Sequence, residues 1–134
     1  ALVRGLDAMP IETHQTLQYP LLYEQLGSLA LLADDPATAE IIARRAIELD
    51  AHLPTAHTAL ILSVLAQGRD ASAELDALSR EINDPFWQAD GGEPNPATVL
   101  SMIEDETERY LRQFPDRRAT VEPALEPILG AQAQ

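Results

Sequence analysis

The chain has 134 residues, with 22 carboxylates against 9 cations and a formal net charge of −13, and its isoelectric point is near 4.4. All nine cations are arginine, and there is no lysine or cysteine. This excludes lysine-dependent phosphate loops, Schiff-base chemistry, thiol nucleophiles, cysteine zinc sites and disulfides. A surface this acidic repels phosphate backbones and anionic leaflets, so no nucleic-acid partner is expected. No apolar run approaches the roughly 18 residues of a membrane span, so no membrane insertion is expected either.

At this length a single domain over 1–134 is expected, burying roughly two-thirds of the surface of its unfolded chain. The chain opens on Ala1 instead of an initiator methionine, as expected of a processed protein or a piece of a longer one. Compartment and oligomeric state are not legible. With 21 alanines, 20 leucines and 6 glycines, the expected fold class is all-α.

In chain order, Leu2, Val3, Leu6 and Met9 predict a short helix within residues 1–19, before Pro10 and a polar stretch. Leu22, Tyr23, Leu26, Leu29, Ala30 and Ala33 predict a helix over 20–33, stopped by Asp34, Asp35 and Pro36. Asp35 suits an N-cap, with Pro36 opening a second helix over 36–49 that sets Ala39, Ile42, Ala43, Ala46, Ile47 and Leu49 on one side. A third helix is expected over 54–67, broken by Gly68, Arg69 and Asp70. A fourth is expected over 70–82, carrying Ala73, Leu75, Ala77, Leu78 and Ile82.

Residues 83–95 form the longest turn-rich stretch and contain the only tryptophan. Asn95 and Pro96 then start a helix with Val99, Leu100, Ile103, Thr107, Tyr110, Leu111 and Phe114 on one stripe. Its acidic run, Glu104, Asp105, Glu106 and Glu108, reads as a solvated face answered by Arg109 and Arg112. A final helix near 121–129, punctuated by Pro123 and Pro127, would cover an open end.

The chain also repeats itself. Shifting residues 20–48 by 34 pairs Pro20 with Pro54, Leu26 with Leu60, Leu31 with Leu65, Ala37 with Ala71, Ala39 with Ala73, Glu40 with Glu74 and Ala43 with Ala77. Thirty-four is a known period of helical-hairpin repeats. The first copy reads Tyr23-x-x-Leu26-Gly27-x-x-Ala30, then Ala39-x-x-x-Ala43-x-x-Ala46. The second has His57, Leu60, Ile61 and Val64, then Ala73 and Ala77, with Ile61 in the glycine's place and Arg80 in the last alanine's. On these residues the stretch 20–82 resembles the tetratricopeptide repeat family, with repeats at 20–53 and 54–82, a loop at 83–95 and capping helices over 96–134.

The resemblance implies antiparallel helix pairs stacked as a short right-handed solenoid with atypical terminal helices. It also implies a scaffold that binds a protein or peptide segment in a helical groove, without catalysis or cofactor. At 100° per residue, Leu21, Glu24, Ser28 and Leu31 form a stripe about 120° from Tyr23, Leu26, Gly27 and Ala30. Its shifted copy is Thr55, Thr58, Leu62 and Leu65. Because the first helices of tetratricopeptide pairs line the concave groove, these eight residues are the candidate binding set. The stripe has no cation, so it suits an apolar segment flanked by arginine or lysine better than a carboxylate. Phe86 and Trp87 are a secondary anchor, or a loop folding its rings over the end of the fourth helix.

Two other classes stay open. One is an oligomerisation or structural element whose groove is filled by a second copy or by the chain's own terminal helix. The other is a small all-helical enzyme drawing acid-base groups from His57, Glu24 and Asp50. No stoichiometric metal is expected, because no two of His14, His52 and His57 have the i, i+4 spacing that presents paired imidazoles. His57 stands where the repeat pattern takes an aromatic, so core packing is its expected role. No nucleophile elbow is present, and Gly91-Gly92 lacks a phosphate-loop context.

Overall fold

A computed structural model describes residues 19–88 and 96–130. Among these the chain is all-α, with six helices, two 3-10 turns and no strand. The helices are α1 (Tyr19–Leu32), α2 (Pro36–Leu49), α3 (Pro54–Ala66), α4 (Ser72–Ile82), α5 (Pro96–Gln113) and α6 (Arg118–Leu129). The helix expected at the N-terminus, His14, Gly91-Gly92 and the Asn95 cap lie outside the described residues.

The same turn closes α1 and α3, thirty-four residues apart. Past the end of α1, Asp34 adopts φ 61°; its N–H donates to Leu31 O (3.1 Å) and the N–H of Asp35 to Ala30 O (2.9 Å). Thirty-four residues on, Gly68 adopts φ 74°, its N–H donating to Leu65 O (2.9 Å) and that of Arg69 to Val64 O (3.2 Å). These are two Schellman caps, one on glycine and one on aspartate, a residue that tolerates the left-handed region better than most. Asp35 then caps α2 by accepting the Thr38 N–H at 3.3 Å, with Pro36 at the first turn. Asp70 accepts the Ser72 N–H (3.3 Å) and hydroxyl (2.7 Å), and α4 starts at Ser72 instead of the expected residue 70.

Helix α1 lies on α2 through Tyr23, Gly27, Ile42, Ala43 and Ala46, all buried. A Cβ on Gly27 would meet Ile42 Cγ2 at 3.5 Å and the Ala43 backbone N at 3.7 Å, so the backbones are close but a methyl still fits. Helix α3 touches each of the other five helices and is buried from Pro54 to Val64 apart from Thr55, which is half-buried. A helix apolar all round belongs in the middle of a bundle. Its hydroxyls are satisfied within the helix, Thr58 donating to Pro54 O (2.8 Å) and Ser63 to Leu60 O (2.7 Å). In α4, Ala73 is exposed, contrary to expectation, and Leu78 and Ile82 make the core contacts.

Helix α5 packs on α3 and reaches α1, bringing Val99, Leu100, Ile103, Tyr110 and Leu111 into one core with Leu31, Ile61 and Leu62. Of its acidic run, Glu104, Asp105 and Glu108 are exposed, but Glu106 is only 3% exposed. The solvated-face reading fails there because Glu106 lies three residues past Ile103 and four before Tyr110, on the core side of the helix. Helix α6 accommodates Pro123 and Pro127 because both face solvent, where water can take up the carbonyls they leave unpaired. Between α5 and α6, Arg117 donates to Tyr110 Oη (2.7 Å) and Asp34 Oδ1 (2.8 Å) and sits 4.1 Å over the Phe114 ring. It thereby ties this corner to the cap of α1.

Candidate binding cleft

The eight-residue stripe does not form an open groove. Leu31, Thr58 and Leu62 are fully buried or nearly so and Ser28 is buried, while Glu24, Thr55 and Leu65 are half-buried and only Leu21 is exposed. The physical reason is α5, whose apolar stripe shares one core with Leu31 and Leu62. The shift by 34 therefore places Thr58 and Leu62 on a helix with no outer face. Trp87 is likewise buried and cannot serve as an open anchor, whereas Phe86 is 52% exposed.

What remains open is a cleft of about 440 Å³ among α1, the start of α3 and α5, lined by Glu24, Gln25, Ser28, Leu29, Leu32, Thr55 and Arg109. Three residues of the predicted stripe, Glu24, Ser28 and Thr55, are among them. The cleft borders an apolar edge of α1, where Leu21 is 47% and Leu29 63% exposed, two helical turns or about 12 Å apart.

Of two neighbouring carboxyls, Glu24 lines the cleft and Glu106 lies behind Ser28. The Ala56 backbone N–H, in the first turn of α3, acts on Glu24 and favours its ionised form; α3 has no side-chain cap of its own. Glu24 Oε2 is buried without a hydrogen bond. Glu106 Oε1 accepts the Ser28 hydroxyl at 2.7 Å; Oε2 is buried without a hydrogen bond and faces Arg109 Nη1 across 3.5 Å. These are the two buried side-chain oxygens without a hydrogen bond among the described residues. Burial raises both pKa values above the usual carboxylate range; for Glu24 the Ala56 N–H opposes it and the Glu106 and Asp50 carboxylates add to it, and for Glu106 Ser28 and then Arg109 oppose it.

A second cluster, which helical spacing could not reveal, lies where the turn after α2 meets the end of α4. His52 Nδ1 donates to the buried Glu81 at 2.5 Å, and Trp87 Nε1 donates to the same carboxylate at 3.3 Å. Phe86 stacks on His52 with ring centroids 4.0 Å apart, and Asp84 Oδ1 holds the Phe86 N–H at 2.8 Å. The pair thus folds over the end of α4, with Phe86 left half open. The Glu81 bond raises the pKa of His52. His57 is buried with Nε2 donating to Ala51 O at 3.0 Å, and burial lowers its pKa.

His52, Glu81 and Asp84 each offer one donor atom within 4.8 Å of the others, making them the set among the described residues that could hold a metal ion. His52 Nδ1 and the Glu81 carboxylate are engaged with each other, and Asp84 Oδ1 with the Phe86 N–H. Of the three residues considered for acid-base chemistry, Glu24 and Asp50 interact electrostatically, while the Nε2 of His57 is taken up by the Ala51 carbonyl.

Comparison with protein-family models, with curated proteins and with solved structures finds no match for this chain.

Proposed function

We propose that the chain is a protein-interaction scaffold that holds an apolar segment of a partner along the outer edge of α1, over the cleft shared with α3 and α5. The observation that carries this reading is the pair Leu21 and Leu29, large apolar side chains left exposed beside a formed cleft. Most large apolar side chains of the described residues are buried, and exposed apolar surface beside a concavity is where partner segments dock. The paired Schellman caps at 34 and 68 support a tetratricopeptide-like origin for the two helix pairs. The burial of Leu31, Thr58 and Leu62 beneath α5 favours the related reading in which the groove of such a scaffold is filled by the chain's own terminal helix. In that case partners are left the α1 edge.

The test is selection of peptides from a displayed random library on the folded protein, repeated with Leu29→Arg. Enriched peptides should share apolar residues at regular spacing and lose binding to the folded variant by ten-fold or more. Equal binding to Leu29→Arg would place the contact elsewhere.

A further inference from the structure

The first helix pair is covered on one flank only. Around α1, Ser28 and Leu31 face the core shared with α3 and α5; at 100° per residue Leu22, Leu29 and Ala33 lie about 150° away, on a strip about 40° wide. On α2, Ile47 joins that core and Glu40 meets Gln67 and Arg69 beyond α3, while Ile41 stands about 110° from both. Leu29 and Ile41 are each 63% exposed, the two most open large apolar side chains among the described residues, and Ala33 is exposed beside them. Stacked helix pairs need a terminal element over each end, because the flank that a further unit would bury is apolar. On the α3 side α5 and α6 supply it.

We propose that the open flank is the seat of the chain's own N-terminal segment, residues 2–9 laid as a short helix along α1 with Leu2, Leu6 and Met9 against Leu22, Leu29 and Ile41. Eighteen residues precede Tyr19, outside the described residues. At helical spacing Leu2, Leu6 and Met9 share an arc of about 60°, and Pro10 ends the run. A helix over 2–9 is about 12 Å long, against about 10 Å from Leu22 to Leu29, and residues 10–18 reach up to about 30 Å when extended, enough to lay it back along α1. The segment's charges, Arg4 and Asp7, cancel, whereas a second copy would bring its own −13 against −13. An eight-residue helix does not persist alone in water, so it folds as it docks, helped by an effective concentration in the millimolar range.

The contact makes the segment a built-in competitor for Leu29, and this regulatory half rests on the scaffold reading. A segment seated three-quarters of the time weakens the apparent affinity of an outside peptide about four-fold.

The experiment is methyl NMR of the full chain carrying a nitroxide on Ala8→Cys, a position off the apolar stripe in a protein with no other cysteine. The expected result is strong broadening of the Leu29 and Ile41 methyl signals relative to the reduced label, and far weaker broadening at Leu125 of α6. Adding Leu6→Asp and Met9→Asp should abolish it and tighten library-selected peptides about four-fold. No broadening at Leu29 and Ile41, or broadening that survives the two aspartates, would overturn the proposal. So would broadening passed to isotope-labelled protein from separate nitroxide-bearing copies, because the occupant would then be a second chain. If the segment stays away while selected peptides still depend on Leu29, the proposal fails and the scaffold reading stands; if it docks while no peptide depends on Leu29, the contact stands as an internal cap and the scaffold reading falls.

Discussion

Leu62 separates the observed packing from the groove that repeat geometry alone would give. It is fully buried, in one core with α5. Truncation to alanine removes three carbons from a site walled by neighbours on every side, so the loss should be about 3 kcal/mol, within the range of about 2–5 for buried leucines. With an unfolding entropy of about 2.1 cal/mol/K per residue, a chain of 134 residues loses about 0.28 kcal/mol of stability per degree near its midpoint, so Leu62→Ala should lower Tm by about 10 °C. Leu62→Arg should do far worse, because it leaves an unpaired cation in the core of a domain whose whole stability is about 5–15 kcal/mol. Leu29→Arg, on the exposed edge of α1, should change stability by no more than about 0.5 kcal/mol. Thermal and urea unfolding followed by circular dichroism would rank the three variants. A folded Leu62→Arg protein with the wild-type midpoint would refute the reasoning, since it would require α3 to present Leu62 to solvent and α5 to sit elsewhere.

The two described histidines should shift stability in opposite directions with pH. The raised pKa of His52 stabilises the fold below about pH 6.5 and that contribution fades as pH rises through the folded value, so His52→Gln should flatten the alkaline-side fall of the urea midpoint. The lowered pKa of His57 brings a penalty as pH falls below about 6.5, so His57→Gln should flatten the acid-side fall. Gly27→Ala should be neutral or stabilising by up to about 1 kcal/mol, since a methyl fits and alanine is the better helix former, whereas Gly68→Ala should cost about 1 kcal/mol at its positive φ. Zinc titration followed by Trp87 fluorescence should give no saturable change, because His52 Nδ1 and the Glu81 carboxylate hold each other; a one-to-one change lost in His52→Ala would show that the imidazole leaves Glu81 for the metal.

The helix boundaries were largely legible because their signals are local. The expected helices over 20–33, 36–49 and 54–67 fall within one residue of the observed ends, since caps, prolines and positive-φ residues act within a turn. The packing face of α1 was legible in part: Tyr23 and Gly27 are buried and Leu26 and Ala30 half-buried, but Leu29 and Ala33 are exposed while Ser28 and Leu31, read as groove residues, are buried. The face of α3 was not: a helix apolar on all sides has no preferred direction in its periodicity, so the choice of Thr58 and Leu62 as groove residues rested on the 34-residue shift and the resemblance, with no signal of its own. Glu106 had a usable signal in its spacing from Ile103 and Tyr110, masked by the charge of its neighbours. The contact between His52 and Glu81 spans 29 residues and depends on how α2 and α4 are placed around α3, which no local pattern encodes.

The central place of α3 bears on how such a chain can be cut and recombined. In an open array each hairpin leans on its neighbours only, so units can be deleted, duplicated or grafted with additive effects. Here the first helix of the second hairpin is shared by every other helix; the first hairpin has a core cluster of its own in Tyr23, Ile42, Ala46 and Leu49 with Leu53 and Ala56, whereas the second shares its core with α5 and α6. A fragment ending after α4 would expose the apolar flank of α3 that α5 covers, and a graft of the second hairpin into another array would bring that flank with it. The two copies have the sequence of interchangeable units, but the second lacks independence, and design with this chain must move α3 together with the helices that cover it.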